Sequence, residues 1–422
     1  MDRRDALKTL GAVAGASAAA TGGMFSGSAV AQPSPTIKLG LITSLSGPVA
    51  TVGQSMQSGA EIAVDQINKA GGVNGRKLEL VVRDDKAKPT DGSVAARELA
   101  GNGVNFLFGV ASSAVALALV AQLEQQNSLL ITCAAHSERL TKENFVRNYF
   151  RGTDNPYMRE RAMAKVCAQR YPTVNRWSGV IPDHDYGRAT WACFEDGLVE
   201  FYPSIAKQKP VVTQPIKTAY GAADYRSSIT STMALPAEGF FLSVYGGDAV
   251  TFFKQAEPFG FFKKAKVIID SGNETMVAKA MKQDLPEMWV GAHWVAAGFE
   301  DVAVSRELYA ESMRRTKDAH PLGFMAEAHA AVVAYATAIQ AAGSTETQAV
   351  RSALESIKFE TATGTRTFRK EDHQAIRPSV FFRVKGSAKS PDGFEILEVV
   401  RIPGADVIDP PTPGRALKLR TA

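Results

Sequence analysis

The chain has 422 residues, of which 45% are hydrophobic and 22% charged, with a formal charge of +5. Such a composition is ordinary for a globular protein of two or three domain-sized units with ample apolar core. Charges of both signs alternate without a basic block or an aromatic-basic stripe, which argues against nucleic acid as a partner. Beyond residue 31 no apolar run is long enough to span a bilayer, so the mature chain is expected to be soluble.

The chain opens on a targeting segment. Asp2-Arg3-Arg4-Asp5-Ala6-Leu7-Lys8 leads into a weakly apolar, Ala- and Gly-rich stretch ending in Ala29-Val30-Ala31. The small residues at 29 and 31 predict a signal peptide of residues 1–31, cleaved after Ala31. The paired arginines resemble a twin-arginine export signal, which Asp2 and Ala6 depart from; an ordinary Sec signal is the alternative. No cysteine lies near the cleavage point, so no lipid anchor is expected.

Strand-like and helix-like segments then alternate. Ile37–Thr43 reads as a strand ending in the turn Ser44–Pro48. Met56, Ala60, Ala63, Val64 and Ile67 fall at helical spacing, closed by Gly71-Gly72. Leu78–Arg83 is a strand, 91–101 a helix, Phe106–Phe108 a strand, Ala114–Gln126 a helix and Leu129–Thr132 a strand. This βαβαβ order implies a mostly parallel sheet covered on both faces. The pattern restarts with a helix over Pro156–Gln169, a strand at Trp177–Ile181 and a helix over Ala189–Glu200. Strands follow at Val211–Lys217, Gly239–Val244 and Lys266–Asp270, with a helix over Ala249–Phe259. Ser305–Thr316, Met325–Ala342 and Thr347–Ser356 are helical, and Pro378–Val384 and Phe394–Val400 read as an antiparallel pair. The fold class is therefore α/β, with two doubly wound, Rossmann-like lobes, and 403–422 reads as a surface tail. Cys133, Cys167 and Cys193 allow at most one disulfide; Cys167 with Cys193 and three buried thiols stay open equally.

Ligands of open parallel sheets bind beyond the carboxyl ends of the strands. Gly109-Val110-Ala111-Ser112-Ser113 sits at such an end, before a helix whose free N–H groups favour an anion; helix capping is the plainer role of Ser112 or Ser113. Tyr245-Gly246-Gly247-Asp248 also follows a strand, and Asp248 can equally be a helix N-cap. Asp183-His184-Asp185 is poorly spaced for a metal. The six histidines show no ligand spacing, and no phosphate loop, zinc-protease or hydrolase-elbow motif is present. No enzyme, metal or cofactor is expected.

Ordered motifs from Ile37 to Val400 resemble the leucine/isoleucine/valine-binding branch of the type I periplasmic binding proteins. They are Ser46-Gly47-Pro48-Val49-Ala50 with Gly53 and Gly59-Ala60; Ala70–Arg76; Ile131–Ala135 with Leu140-Thr141; Asp185-Tyr186-Gly187; Lys254-Gln255-Ala256 with Phe259-Gly260; and Gly364 with Asp372-His373-Gln374. The resemblance implies two discontinuous lobes, 37–151 plus 294–366 and 152–293 plus 367–402, joined by hinge crossings near 151–153, 291–294 and 366–370. It implies a ligand in the cleft: its carboxylate at Ser112 and Ser113, the loop Ala134-Ala135-His136 beside it, and Tyr186 and Tyr245 closing from the other lobe. Asp248 would meet an ammonium, and Val52 would stand near the entrance. His136 replaces the family's Thr and Val52 a Trp, so the ligand is an amino acid or related small carboxylate, or else an aromatic carboxylate or small amide. The implied setting is the periplasm, with ABC importer permease subunits in the inner membrane as partners and the chain a monomer. A ligand sensor for a membrane receptor is the other reading.

Overall fold

A computed structural model describes residues 36–421; the expected signal peptide lies outside the described residues. The first sheet is wholly parallel and ordered β2-β1-β3-β4-β5. Its strands are β1 Ile37–Thr43, β2 Leu78–Asp84, β3 Phe106–Gly109, β4 Leu129–Thr132 and β5 Tyr149–Arg151. Phe106–Gly109 and Leu129–Thr132 are buried at every residue, as expected of parallel strands covered on both faces. Gly109 pairs with Ile42 and with Thr132, so the loops after β3 and β4 leave the sheet side by side.

A second sheet contains parallel strands β6 Arg176–Pro182, β7 Val211–Val212, β8 Ile216–Thr218, β9 Gly239–Leu242, β10 Val267–Asp270 and β11 Met288–Ala292. A small antiparallel sheet is formed by β12 Phe359–Thr361, β13 Gly364–Phe368 and β14 Ala375–Ile376. The last strands, β15 Ser379–Gly386 and β16 Phe394–Ile402, return antiparallel to the edge of the second sheet.

The helix Phe324–Ala342 follows the second-sheet strands in sequence, yet it packs in one core with β1, β3, β4 and the helix Ala50–Lys69. Contact is close enough that a Cβ on Gly59 would lie 2.0 Å from the Met325 carbonyl oxygen. Tyr335 anchors the helix to the sheet by donating to the Leu107 carbonyl, 2.7 Å away. Phe368 and Ala375 belong to the same core, and the chain rejoins the second sheet at Ser379.

Several boundaries differ from the sequence reading. The helix expected to Gln126 ends at Val120 and gives way to turns. The expected strand Val211–Lys217 is broken between β7 and β8, where Pro215 has no N–H for a ladder. The helix expected from Ala189 starts at Asp185, because Gly187 lets its first turn press on the Pro182 carbonyl; a Cβ there would come within 2.1 Å. All three cysteines are free and buried. Residues 403–421 run over the surface but are pinned. Asp409 is 1% exposed and pairs with Lys142, itself buried. Asn155 Nδ2 donates to Asp409 (2.9 Å), and Gly414 N to the Lys142 carbonyl (2.8 Å).

The three connections between the sheets share a buried charge network. Asp154 follows β5 and takes Arg159 through Nε (3.0 Å) and Nη2 (2.8 Å). His293 follows β11, and its Nδ1 meets Glu274 at 2.8 Å. Arg377, between β14 and β15, donates to Glu327 (2.8 Å), which also holds Arg366 through both carboxylate oxygens (2.7 and 2.8 Å).

Candidate functional site

A cavity of about 480 Å³ opens where the carboxyl ends of strands from the two large sheets face each other. Seven of the nine residues singled out in the sequence line it: Val52, Ser112, Ser113, Ala134, His136, Tyr186 and Tyr245. Ala135 is buried behind the loop, in the core of β3 and β4. Asp248 is also absent from the lining. Its carboxylate accepts from Gly221 N at 2.6 Å, and Gly246, not Asp248, occupies the N-cap of the helix Gly247–Ala256.

The aligned ends of β3 and β4 build one wall. Gly109 and Val110 both have positive φ, 106° and 59°; the latter is costly for a β-branched residue. This turn brings the helix Ser113–Val120 in with its N-terminus at the cavity. Ser112 is the N-cap by position but makes no side-chain cap bond, so the capping role does not account for its hydroxyl. Ser113 Oγ accepts from both His136 N and Ser137 N, each at 3.1 Å. A hydroxyl that accepts twice has its proton left to donate. With the unpaired N–H groups of the helix start, that donor suits an anionic oxygen.

His136 is buried, 7% exposed. Burial, with the Arg159 charge nearby, pushes its pKa down to about 4 against the hold of Asp154, so the ring is neutral at pH 7. Its Nε2 lies 3.3 Å from Asp154 Oδ1 and its ring stacks on His293. His136, Asp154 and His293 are close enough together to suggest a metal site. Both Asp154 oxygens, however, already bind the Arg159 guanidinium, which fills the role a cation would take.

The opposite wall is aromatic. Tyr186 stands in the first turn of the helix Asp185–Phe201, and Tyr245 follows β9. Tyr186 and Tyr245 meet edge to face at 5.3 Å between centroids; Tyr220 stacks on Tyr245 at 5.5 Å and His184 completes the group. Val49, Val52, Leu117, Met276 and Phe324 add apolar surface. Among the described residues the only lining carboxylate is Asp185, which accepts from Ser137 Oγ at 2.5 Å.

Sequence reasoning missed Arg159, Tyr220, Gly272 and Asn273, all in the lining. Arg159 carried a usable signal. Asn155-Pro156 marks a helix start, with Asn155 accepting from Met158 N, so Arg159 falls in the first turn, at the sheet end where ligands bind. Tyr220, Gly272 and Asn273 lie in irregular segments without such a marker.

The sequence matches the periplasmic binding protein family over residues 36–390. It is 29% identical over 341 residues to the Leu/Ile/Val-binding protein homolog 3 of Brucella melitensis, covering 79% of this chain and 87% of that one. It is 28% identical over 339 residues to the leucine-, isoleucine-, valine-, threonine- and alanine-binding protein of Pseudomonas aeruginosa, covering 78% and 84%. Among solved structures, the closed form of the corresponding Brucella ovis protein superposes with a TM-score of 0.78 at 19% identity, covering 92% of this chain and all of that one. A Rhodopseudomonas palustris ABC transporter solute-binding protein, in complex with 3,4-dihydroxybenzoic acid, superposes at 0.76 and 18% identity, covering 87% and 98%. The family match spans most of the chain, and the two facing sheets have the architecture of its solved relatives. The chain belongs to the periplasmic binding protein family, whose members are solute-binding proteins of transporters and not enzymes.

Proposed function

We propose that this protein captures a small carboxylate-bearing solute, an amino acid or related acid, in the cleft and delivers it to the permease subunits of an ABC importer. The observation that carries the reading is Ser113, whose hydroxyl proton is freed by two accepted N–H bonds beside an open helix start. The curated relatives' names, which state binding of leucine, isoleucine and valine, support it. The lobes expected at 37–151 plus 294–366 and at 152–293 plus 367–402 would keep their first two crossings, with the last moved from 366–370 to between Ile376 and Ser379, since Phe368 and Ala375 pack in the first core. Closure would bring Tyr186 and Tyr245 over a ligand held by Ser112, Ser113 and the Ala134–His136 loop. Export through a segment cleaved after Ala31, residence in the periplasm and a monomeric state belong to the same proposal.

The test is a thermal-shift and calorimetric screen of amino acids and aromatic acids, since a ligand specific for the folded state raises its melting temperature. Ser113→Ala should weaken any hit at least tenfold; if no carboxylate binds, the reading falls. An aromatic carboxylate is the second reading. It is favoured by the cluster of Tyr186, Tyr220, Tyr245 and His184, and by the lack, among the described residues, of an uncommitted lining carboxylate for an ammonium.

A further inference from the structure

The cavity floor contains an atom-sized recess that the carboxylate contacts do not use. Gly272 follows β10 and lines the cavity. A Cβ built on it would lie 3.2 Å from Tyr186 Oη and 3.5 Å from Arg159 Nη1, and apart from its chain neighbours no other described residue comes within 4 Å. The missing side chain therefore leaves a space between two polar atoms. Its backbone φ is not positive, so no turn requires glycine here; the gap itself distinguishes this residue from alanine.

The two polar atoms differ in character. Arg159 is 2% exposed. Its Nε and Nη2 are committed to Asp154, while Nη1 has only a long contact, 3.4 Å, to the Ser271 carbonyl. A guanidinium offers five donors and no acceptor, so Nη1 presents an N–H to the recess. Tyr186 Oη is a phenolic hydroxyl, able to accept as well as donate, and it borders the same space as Arg159 Nη1. One donor and one acceptor around a single vacant position match a hydroxyl, which does both. A methyl group there would leave a buried guanidinium N–H and a phenolic oxygen without partners.

We propose that Arg159, Tyr186 and Gly272 form a hydroxyl-recognising subsite, so that the physiological ligand is a hydroxylated carboxylate, its acid group at Ser112–Ser113 and its hydroxyl at Gly272. This rests on the carboxylate reading above. It sets Arg159 and Gly272 as specificity-determining residues for capture.

The test uses near-isosteric pairs that differ by methyl against hydroxyl: 4-methylbenzoate with 4-hydroxybenzoate, and valine with threonine. Each is titrated calorimetrically into the wild-type protein, Gly272→Ala and Tyr186→Phe. A site that hydrogen-bonds a ligand hydroxyl rejects the analogue without it strongly. In at least one pair the hydroxyl member should therefore bind the wild type roughly 10- to 100-fold more tightly. Gly272→Ala, whose Cβ occupies the recess without backbone conflict, should remove that preference, the hydroxyl member losing at least about tenfold more affinity than its methyl partner. Tyr186→Phe should reduce the preference in the same direction, and circular dichroism melts check that both variants fold. Equal affinities within every pair that binds overturn the subsite and leave the carboxylate reading standing. So does a uniform loss in Gly272→Ala. If none of the four probes binds, the subsite is overturned, and the wider carboxylate screen decides the reading on which it rests.

Discussion

Removing the Glu327 carboxylate tests how the buried charge network holds the connections between the sheets. Glu327 accepts three charge-assisted bonds, two from Arg366 and one from Arg377, at 2.7–2.8 Å. Glu327, Arg366 and Arg377 are each 2% exposed or less. Without Glu327 the acid nearest Arg377 is Asp154, 4.0 Å away and already held by Arg159, so both guanidiniums would be left buried and underpaired. Breaking a buried pair by deleting one partner costs about 3–5 kcal/mol. Glu327→Ala should lose that much. Glu327→Gln, which keeps one acceptor but turns an NH2 toward a guanidinium, should lose roughly 2–3 kcal/mol. With a urea m-value of about 3 kcal/mol/M, the alanine variant's midpoint falls by at least ~1 M. The buried tryptophans Trp177, Trp289 and Trp294 report the transition by fluorescence. Replacing Glu327, Arg366 and Arg377 together by methionine should cost less than Glu327→Ala alone, since it leaves no orphaned charge. An alanine variant within about 1 kcal/mol of wild type, the scale of one neutral hydrogen bond, would refute the argument.

Other consequences follow from titratable groups and close contacts. His329 is buried with Nδ1 unpartnered among the described residues, and burial holds its pKa down at about 4. The unfolded chain binds the extra proton first, so stability is complete above about pH 6.5 and drains away as pH falls to 4, by up to roughly 3 kcal/mol. His329→Gln should flatten that fall in a pH series of urea melts. Glu160 behaves oppositely: burial raises its pKa to about 8, so its native state keeps a proton that the unfolded chain loses near pH 4.5, and stability declines as pH rises toward 8. Glu160→Gln should therefore gain in melting temperature relative to wild type at pH 8.5 more than at pH 5. Gly59→Ala should cost at least about 2 kcal/mol, because its Cβ meets the Met325 carbonyl and backbone cannot yield like a side chain. Gly101→Ala, with open space around the Cβ, should stay within about 0.5 kcal/mol in the same melts.

The sheets were legible because fully apolar runs such as Leu129–Thr132 and the intervening helical spacing leave few alternatives to parallel strands. Strand ends also placed Ser112 and Ser113, whereas His136 was named by the family resemblance. Two kinds of information were not local. Asp248 sits in the right loop, but its carboxylate turns to the Gly221 backbone, a choice made by a neighbouring loop that periodicity does not address. The break between β7 and β8 and the early end of the helix at Val120 depend on Pro215 and on turn geometry, not on apolar content. The tail composition, rich in proline and basic residues, concealed a buried charged anchor, Asp409.

That anchor bears on the order in which the molecule can be completed. Lys142 is made before the whole second sheet, and its ammonium is sealed from solvent. Its principal counter-charge is Asp409, which lies beyond every strand of the second sheet in sequence; Asp372, at 3.8 Å, is its other acid partner among the described residues. An ammonium without its counter-ion resists burial, so the region around Lys142 closes only when the segment carrying Asp409 docks on it. Compaction of this edge of the first sheet is thereby tied to a segment that follows both sheets in sequence.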